Sequence, residues 1–292
     1  MRPGGSAVEQ QPRKYNDHTQ IDWLGFRDYT FSKYRRNCAK LYFRYASQYW
    51  KLLGNPSTLE TMTKAKKNNV LKALISLSKY LGVYREFKSK IEDYGIKWSR
   101  TTSIDAFFRM INQTNSDILK WYKDTSTLLD NNCSTYLKLA LMSGLRTNEA
   151  IESFNLIIKL HEQGRLSEYY NEESQTLEHF RYPEQFFRNT KNAFITLIPK
   201  KLITEIASCK PMTYYTIKMR LQRRGFRLRM NALRDYHATF MVRHGLIREE
   251  VDLLQGRIGK SVFVRHYFSP AIQELRGRVF KALKELEQIV LS

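Results

Sequence analysis

Apolar residues three and four positions apart restrict this chain more than any other feature. From Cys38, the residues Leu41, Tyr42, Tyr45, Tyr49, Leu52 and Leu53 fall on one side of a helix of 3.6 residues per turn. Gly54, Asn55 and Pro56 end it. A second helix carries Val70, Leu71, Leu74, Ile75, Leu77 and Leu81. Tyr136 to Met142 predicts another apolar helix, stopped by Ser143 and Gly144. Near the end, Ile272, Leu275, Val279, Leu283, Leu286 and Ile289 recur at intervals of 3, 4, 4, 3 and 3, one apolar stripe. It packs on its own domain or docks into a neighbouring protomer. One short β-rich run, residues 193–199, stands against this pattern, with Asn189-Thr190-Lys191-Asn192 before it as a hairpin turn. Helices resume near Thr213. The fold class is mainly α with a small antiparallel β-sheet.

Residues 98–116 are rich in Ser, Thr and Asn and mark a junction. The organisation is a polar leader at 1–22, a helical domain at 23–100, a linker at 101–112 and a second domain at 113–292. The opening residues hold no apolar stretch of the secretory kind. No run reaches the roughly 18 apolar residues that span a bilayer. Cys38, Cys133 and Cys209 are far apart and without metal-type spacing, so they read as small core hydrophobes of a reduced, cytoplasmic chain with no metal and no cofactor.

Lys plus Arg number 49 against 28 Asp plus Glu, a formal charge of +21. Such an excess repels itself unless an anion is bound, and nucleic acid is the first candidate. Two stretches concentrate it. The first comprises Arg35, Arg36, Lys40, Lys64, Lys66 and Lys67. The second, residues 218–234, carries Lys218, Arg220, Arg223, Arg224, Arg227, Arg229 and Arg234 with no acid among the first six or within four residues of them. Intrahelical salt bridges therefore do not account for those six, and phosphate contact does so economically.

Four separated segments bear on chemistry. They are Gly144-Leu145-Arg146-Thr147-Asn148-Glu149, Lys191 in the hairpin, Asn231-Ala232-Leu233-Arg234 running on to Ala238-Thr239, and Leu254-Gln255-Gly256-Arg257 with Tyr267 ten residues on. Each alone is common. In this order and spacing they resemble the tyrosine recombinase (integrase) family over roughly residues 110–270. That family has a Gly-Leu-Arg-x-x-Glu segment, a β-hairpin lysine, a His-x-x-Arg segment, a Leu-Gly-His/Trp segment and a tyrosine nucleophile.

The resemblance implies a two-domain clamp around double-stranded DNA: a helical core-binding domain and a catalytic domain, assembled as a homo-tetramer on DNA. It implies strand cleavage without metal through a 3′-phosphotyrosyl link. Tyr267 would attack phosphorus. Arg146 and Arg234 would hold the phosphate oxygens through forks of donors, with Arg257 as a third. Lys191 would protonate the leaving 5′ oxygen. Glu149 would orient Arg146 or a neighbouring helix, and His237 would be a satisfied core histidine. Three departures stand out. Asn231 replaces the family's histidine and donates without shuttling a proton. Arg257 replaces His or Trp, and the interval to the tyrosine is ten rather than nine. The Gln-Gly-Arg and Arg-His-Tyr strings resemble the archaeal-virus (fusellovirus-type) branch. The alternatives are a type IB topoisomerase-like enzyme and a DNA-binding relative whose catalytic set has decayed.

Overall fold

A computed structural model describes residues 21–34, 36–98, 102–112, 115–188, 191–257 and 271–291. The chain divides into two compact units, Met1–Met110 and Ile111–Ser292.

The first unit is helical. Helix α1 (Trp23–Lys33) starts at Asp22, whose side chain accepts the Gly25 N–H at 2.9 Å. Helix α2 (Arg36–Tyr49) runs into a 3₁₀ turn at Trp50–Leu53, and the Asn55-Pro56 break follows. Helix α3 (Lys64–Tyr80) buries Val70, Leu71, Leu74 and Leu77 against Phe26, Ala46, Leu59 and Phe87. Each such side chain contributes about 1.5–3 kcal/mol on burial. Helix α4 (Tyr84–Asp93) adds Phe87 to that core. Helix α5 (Ser103–Asn112) occupies the stretch expected to be a linker. Its Ile104, Phe107, Phe108 and Ile111 are exposed. Cys38 is exposed on α2, contrary to its reading as a core residue, because the buried face of that helix is set by Ala39 and Ala46.

The second unit is built around α7 (Asn131–Ser143) and α8 (Thr147–Glu162), preceded by α6 (Asn115–Leu128). Asp130 caps α7 by accepting the Cys133 N–H at 2.9 Å. Gly144 ends it in the left-handed region, φ 60°. A three-stranded antiparallel sheet follows, β1 (Tyr170–Asn171), β2 (Thr176–Leu177) and β3 (Thr196–Leu197), in the order β1-β2-β3. Tyr170 pairs with Leu177, and Thr176 with Leu197. A buried chain of hydrogen bonds ties the sheet to α8. Tyr169 Oη meets Ser153 Oγ at 2.9 Å and His179 Nδ1 at 2.7 Å, and His179 Nε2 meets Thr196 Oγ1 at 2.8 Å.

The β-rich run is shorter than expected. Only Thr196 and Leu197 pair, and helix α9 (Pro183–Phe186) lies in the connection before them. Helix α10 (Lys200–Ala207) begins directly after Pro199, well before Thr213, because Leu202, Ile203 and Ile206 already have helical spacing and are buried. Then come α11 (Tyr214–Arg223), α12 (Met230–Arg243), α13 (Arg248–Leu254) and α14 (Ile272–Leu291). The α14 stripe packs on its own unit. Leu275, Val279, Leu283 and Leu286 join the core shared by α7, α8 and α12. Lys138 bridges Glu205 of α10 and Glu287 of α14, both at 3.1 Å. Arg278 pairs with Glu250, and His244 with Glu285 at 3.1 Å. Among the described residues, no helix is long and apolar enough to cross a membrane.

Candidate active site

Helix α8 begins at Arg146, whose extended backbone (φ −67°, ψ 149°) places it as the N-cap. Glu149, one turn in, reaches back and accepts the Arg146 N–H at 3.1 Å. The same carboxylate accepts Arg146 Nη1 at 2.7 Å. Arg146 Nη1 also donates to the Asn192 carbonyl at 3.2 Å. The start of α8 is thereby fastened to the segment carrying Lys191, whose N–H donates to the Arg188 carbonyl at 3.3 Å. Lys191 itself is exposed, and residues 189–190 of the expected hairpin turn lie outside the described residues.

Arg234 lies on α12, buried to 5% exposure. Its Nη1 donates to the Gly144 carbonyl and its Nη2 to the Gln255 carbonyl, both at 2.8 Å. Nη1 stands 4.0 Å from Glu149, so both arginines face one fully buried carboxylate. Gln255 returns a bond from Nε2 to the Arg234 carbonyl at 3.1 Å. Burial, then repulsion from Arg146 and Arg257, pulls the Arg234 guanidinium down to about 10; Glu149 and Asp235 oppose this.

The turn Gln255-Gly256-Arg257 rests on the lysine segment. A Cβ on Gly256 would lie 1.7 Å from the Asn192 carbonyl oxygen, and φ is 67° there, so only glycine fits. Arg257 follows, half-exposed, its N–H on the Asp252 carbonyl at 2.7 Å and its guanidinium 3.5 Å from the Asp252 carboxylate. On α12, Asn231 is exposed, and its Oδ1 accepts the Thr147 hydroxyl at 2.8 Å. The structure thus brings Arg146, Asn231 and Arg234 into one connected set of contacts, with Lys191 and Arg257 each one residue from the Asn192–Gly256 contact that closes it. Tyr267 lies outside the described residues.

Two neighbours of this set went unread in the sequence. Thr147 and Gln255 sit inside the motifs, but only the fold reveals what they bond. The Asn192 carbonyl is main chain and leaves no sequence signal. His237 is the satisfied core histidine expected: Nδ1 lies 2.9 Å from the Leu141 carbonyl, and burial pushes its pKa down to about 4.

The basic set divides. Arg36, Lys40, Lys64, Lys66, Arg223, Arg224 and Arg227 are exposed, Lys218 is partly so, and Arg35 lies outside the described residues. Lys66 sits 5.2 Å over the Tyr49 ring, and Lys64 lies 3.6 Å from Asp105. Lys67 is buried and paired with Glu60 at 3.1 Å. Arg220 pairs with Asp130, and Arg229 with Asp117 at 2.6 Å. Asp130 and Asp117 are distant in sequence, so the absence of nearby acids did not leave Arg220 or Arg229 unpaired. Among the described residues, no three His, Cys, Asp or Glu side chains gather as metal ligands. What the set can do is hold a tetrahedral anion. Its arginines are fixed by protein bonds before the anion arrives, and such preorganised charge acts most strongly on a charged transition state.

Residues 110–275 match the family described as archaeal phage integrase. No curated protein matches the chain.

Proposed function

The chain belongs to the archaeal phage integrase family, and from that membership we propose that it is a site-specific DNA recombinase of the tyrosine type. It cuts and rejoins double-stranded DNA to integrate or excise a viral genome or other mobile element. The Tyr267 oxygen, its proton released to solvent, attacks phosphorus and forms a 3′-phosphotyrosyl bond as the bond to the 5′ oxygen breaks. Lys191 gives that leaving oxygen its proton. Arg146, Arg234 and Arg257 neutralise the nonbridging oxygens, and Asn231 donates one hydrogen bond without taking a proton. In the second half of the reaction a 5′ hydroxyl of another strand attacks the phosphotyrosine, and the tyrosine leaves. The bond energy is conserved in the link, so no cofactor is spent.

The observation that carries this reading is the convergence of Arg146 and Arg234 on Glu149, with the Asn192 carbonyl bonded by Arg146 and packed under Gly256. Arg146 and Gly256 thereby meet at Asn192 in the lysine segment, and Arg234 joins them through the Gly144 and Gln255 carbonyls. On the same reading, residues 23–100 form the core-binding domain and 113–292 the catalytic domain of a clamp. Four copies act on two duplexes, in the cytoplasm of the host cell.

A suicide duplex tests this, nicked so that the 5′ fragment diffuses away after cleavage. The wild type should accumulate a covalent protein–DNA adduct whose linked peptide contains Tyr267. Tyr267→Phe should form none while binding the duplex with nearly wild-type affinity. An adduct that persists in the variant places the nucleophile elsewhere. Transfer of label between two duplexes distinguishes recombination from mere relaxation.

A further inference from the structure

Asn231 stands where a histidine is usual in the resembling family, and an asparagine amide has two chemically opposite ends. Only one of them can serve a phosphate oxygen: the Nδ2 donor. The amide turns about its last bond at little cost, and on an exposed residue nothing intrinsic favours the useful orientation. In this structure the oxygen end is the one engaged. The Thr147 hydroxyl donates to Asn231 Oδ1 at 2.8 Å, and among the described residues nothing accepts from Nδ2. Thr147 is nearly buried, at 9% exposure, and is the first residue of α8, next to Arg146. Its carbonyl accepts the buried Tyr136 hydroxyl at 3.2 Å, so its own position is held from behind.

We propose that Thr147 is the positioning residue for Asn231: its hydroxyl engages the amide oxygen and leaves the amide N–H groups as fixed donors beside Arg146. This rests on the recombinase reading. It makes Thr147 a partner in phosphate recognition that never touches the phosphate. It also gives the site a donor whose strength does not change with pH, where an imidazole would titrate near 6.5.

The test is a double-mutant cycle on single-turnover cleavage of the suicide duplex, with duplex affinity and thermal midpoint measured alongside. Thr147→Val keeps the shape and backbone bonds and removes the hydroxyl. It should slow cleavage about two- to tenfold, the scale of one neutral hydrogen bond, with affinity and midpoint near wild type. Thr147→Ser should restore the rate. Asn231→Ala should slow cleavage at least as much, and Thr147→Val should add nothing in that background. A Val variant at wild-type rate, a Ser variant as slow as the Val variant, or additive effects in the double variant would each overturn the proposal. Failure of the wild type to form any adduct would instead overturn the recombinase reading on which the proposal stands.

Discussion

Gly144 and His237 are in contact across the junction of α7 and α12. A Cβ at Gly144 would lie 2.4 Å from the His237 Cδ2 and 2.9 Å from its Cγ. The glycine also holds φ 60°, and its carbonyl accepts Arg234 Nη1. One residue therefore stops α7, admits a buried ring and anchors a buried guanidinium. The His237 ring is fixed from its other side by the Leu141 carbonyl.

Gly144→Ala should destabilise the protein by two separable terms. Left-handed backbone at a non-glycine residue costs about 1–3 kcal/mol. Crowding against the imidazole adds about 1–3 kcal/mol. In a His237→Ala background the crowding term should vanish, so the same substitution should cost less there. Chemical denaturation of the four variants checks this. Equal costs in both backgrounds would mean the ring is not what fills the space.

Stability should fall as the medium is acidified from pH 7 to pH 5. Burial lowers His237 from its ordinary 6.5 to about 4 and His179 to about 3. The folded chain holds both rings neutral in this range, whereas the unfolded chain protonates them below about 6.5. Unfolding therefore takes up protons, and the stability present above pH 6.5 is lost as pH falls toward the folded values. Each ring should contribute about 2 kcal/mol of loss between pH 7 and pH 5, at about 1.4 kcal/mol per pH unit. His237→Asn can still donate to the Leu141 carbonyl but does not titrate, so its slope should be visibly shallower. An unchanged slope would refute the buried neutral state of that ring.

Helices with one apolar face were legible because their period is set by backbone geometry, as in α2, α3 and α14. The sheet was not. Strands of two residues, such as Tyr170–Asn171 and Thr176–Leu177, are too short to show alternation. The run through residues 193–203 mixes a strand and the first turns of α10, and composition alone does not separate them. Arg146 and Arg234 were legible as motif members, and Glu149 as a partner of Arg146. The sharing of that one carboxylate by both arginines was not, since it depends on α8 and α12 meeting 85 residues apart. For the same reason Arg220 looked available for phosphate: its carboxylate partner, Asp130, is supplied by the fold.

DNA affinity should weaken steeply with salt, and the two classes of cation should differ. A protein contacting ~6–10 phosphates loses about 10³–10⁵ in affinity between 50 and 200 mM salt. Arg223, Arg224 and Arg227 are exposed, with no ion-pair partner among the described residues. Replacing any of them by Ala should lower the slope of log affinity against log salt by about 0.9. Lys67→Met and Arg220→Met should leave the slope nearly unchanged, because those cations already neutralise Glu60 and Asp130. Salt titrations by fluorescence anisotropy decide this. Equal slopes for both classes would remove the 223–227 segment from the DNA interface.

Lys191 makes the sharpest chemical prediction. Among the described residues its side chain has no protein partner, while its segment is gripped by Arg146 through the Asn192 carbonyl. If it protonates the leaving 5′ oxygen, Lys191→Ala should slow cleavage of a normal strand by ~10²–10⁴-fold, the usual scale of general acid catalysis. A strand whose bridging 5′ oxygen is replaced by sulfur needs no such acid, because a thiolate is a much weaker base than an alkoxide. On that strand the variant should cleave at close to the wild-type rate. Arg146→Ala should not be rescued, since its guanidinium serves the nonbridging oxygens, which the sulfur leaves unchanged. Rescue of both variants, or of neither, would take the acid role from Lys191. Lys200 is paired with Glu172 at the far end of β3 and is the poorer substitute; Lys201, exposed beside it, would then be tested next.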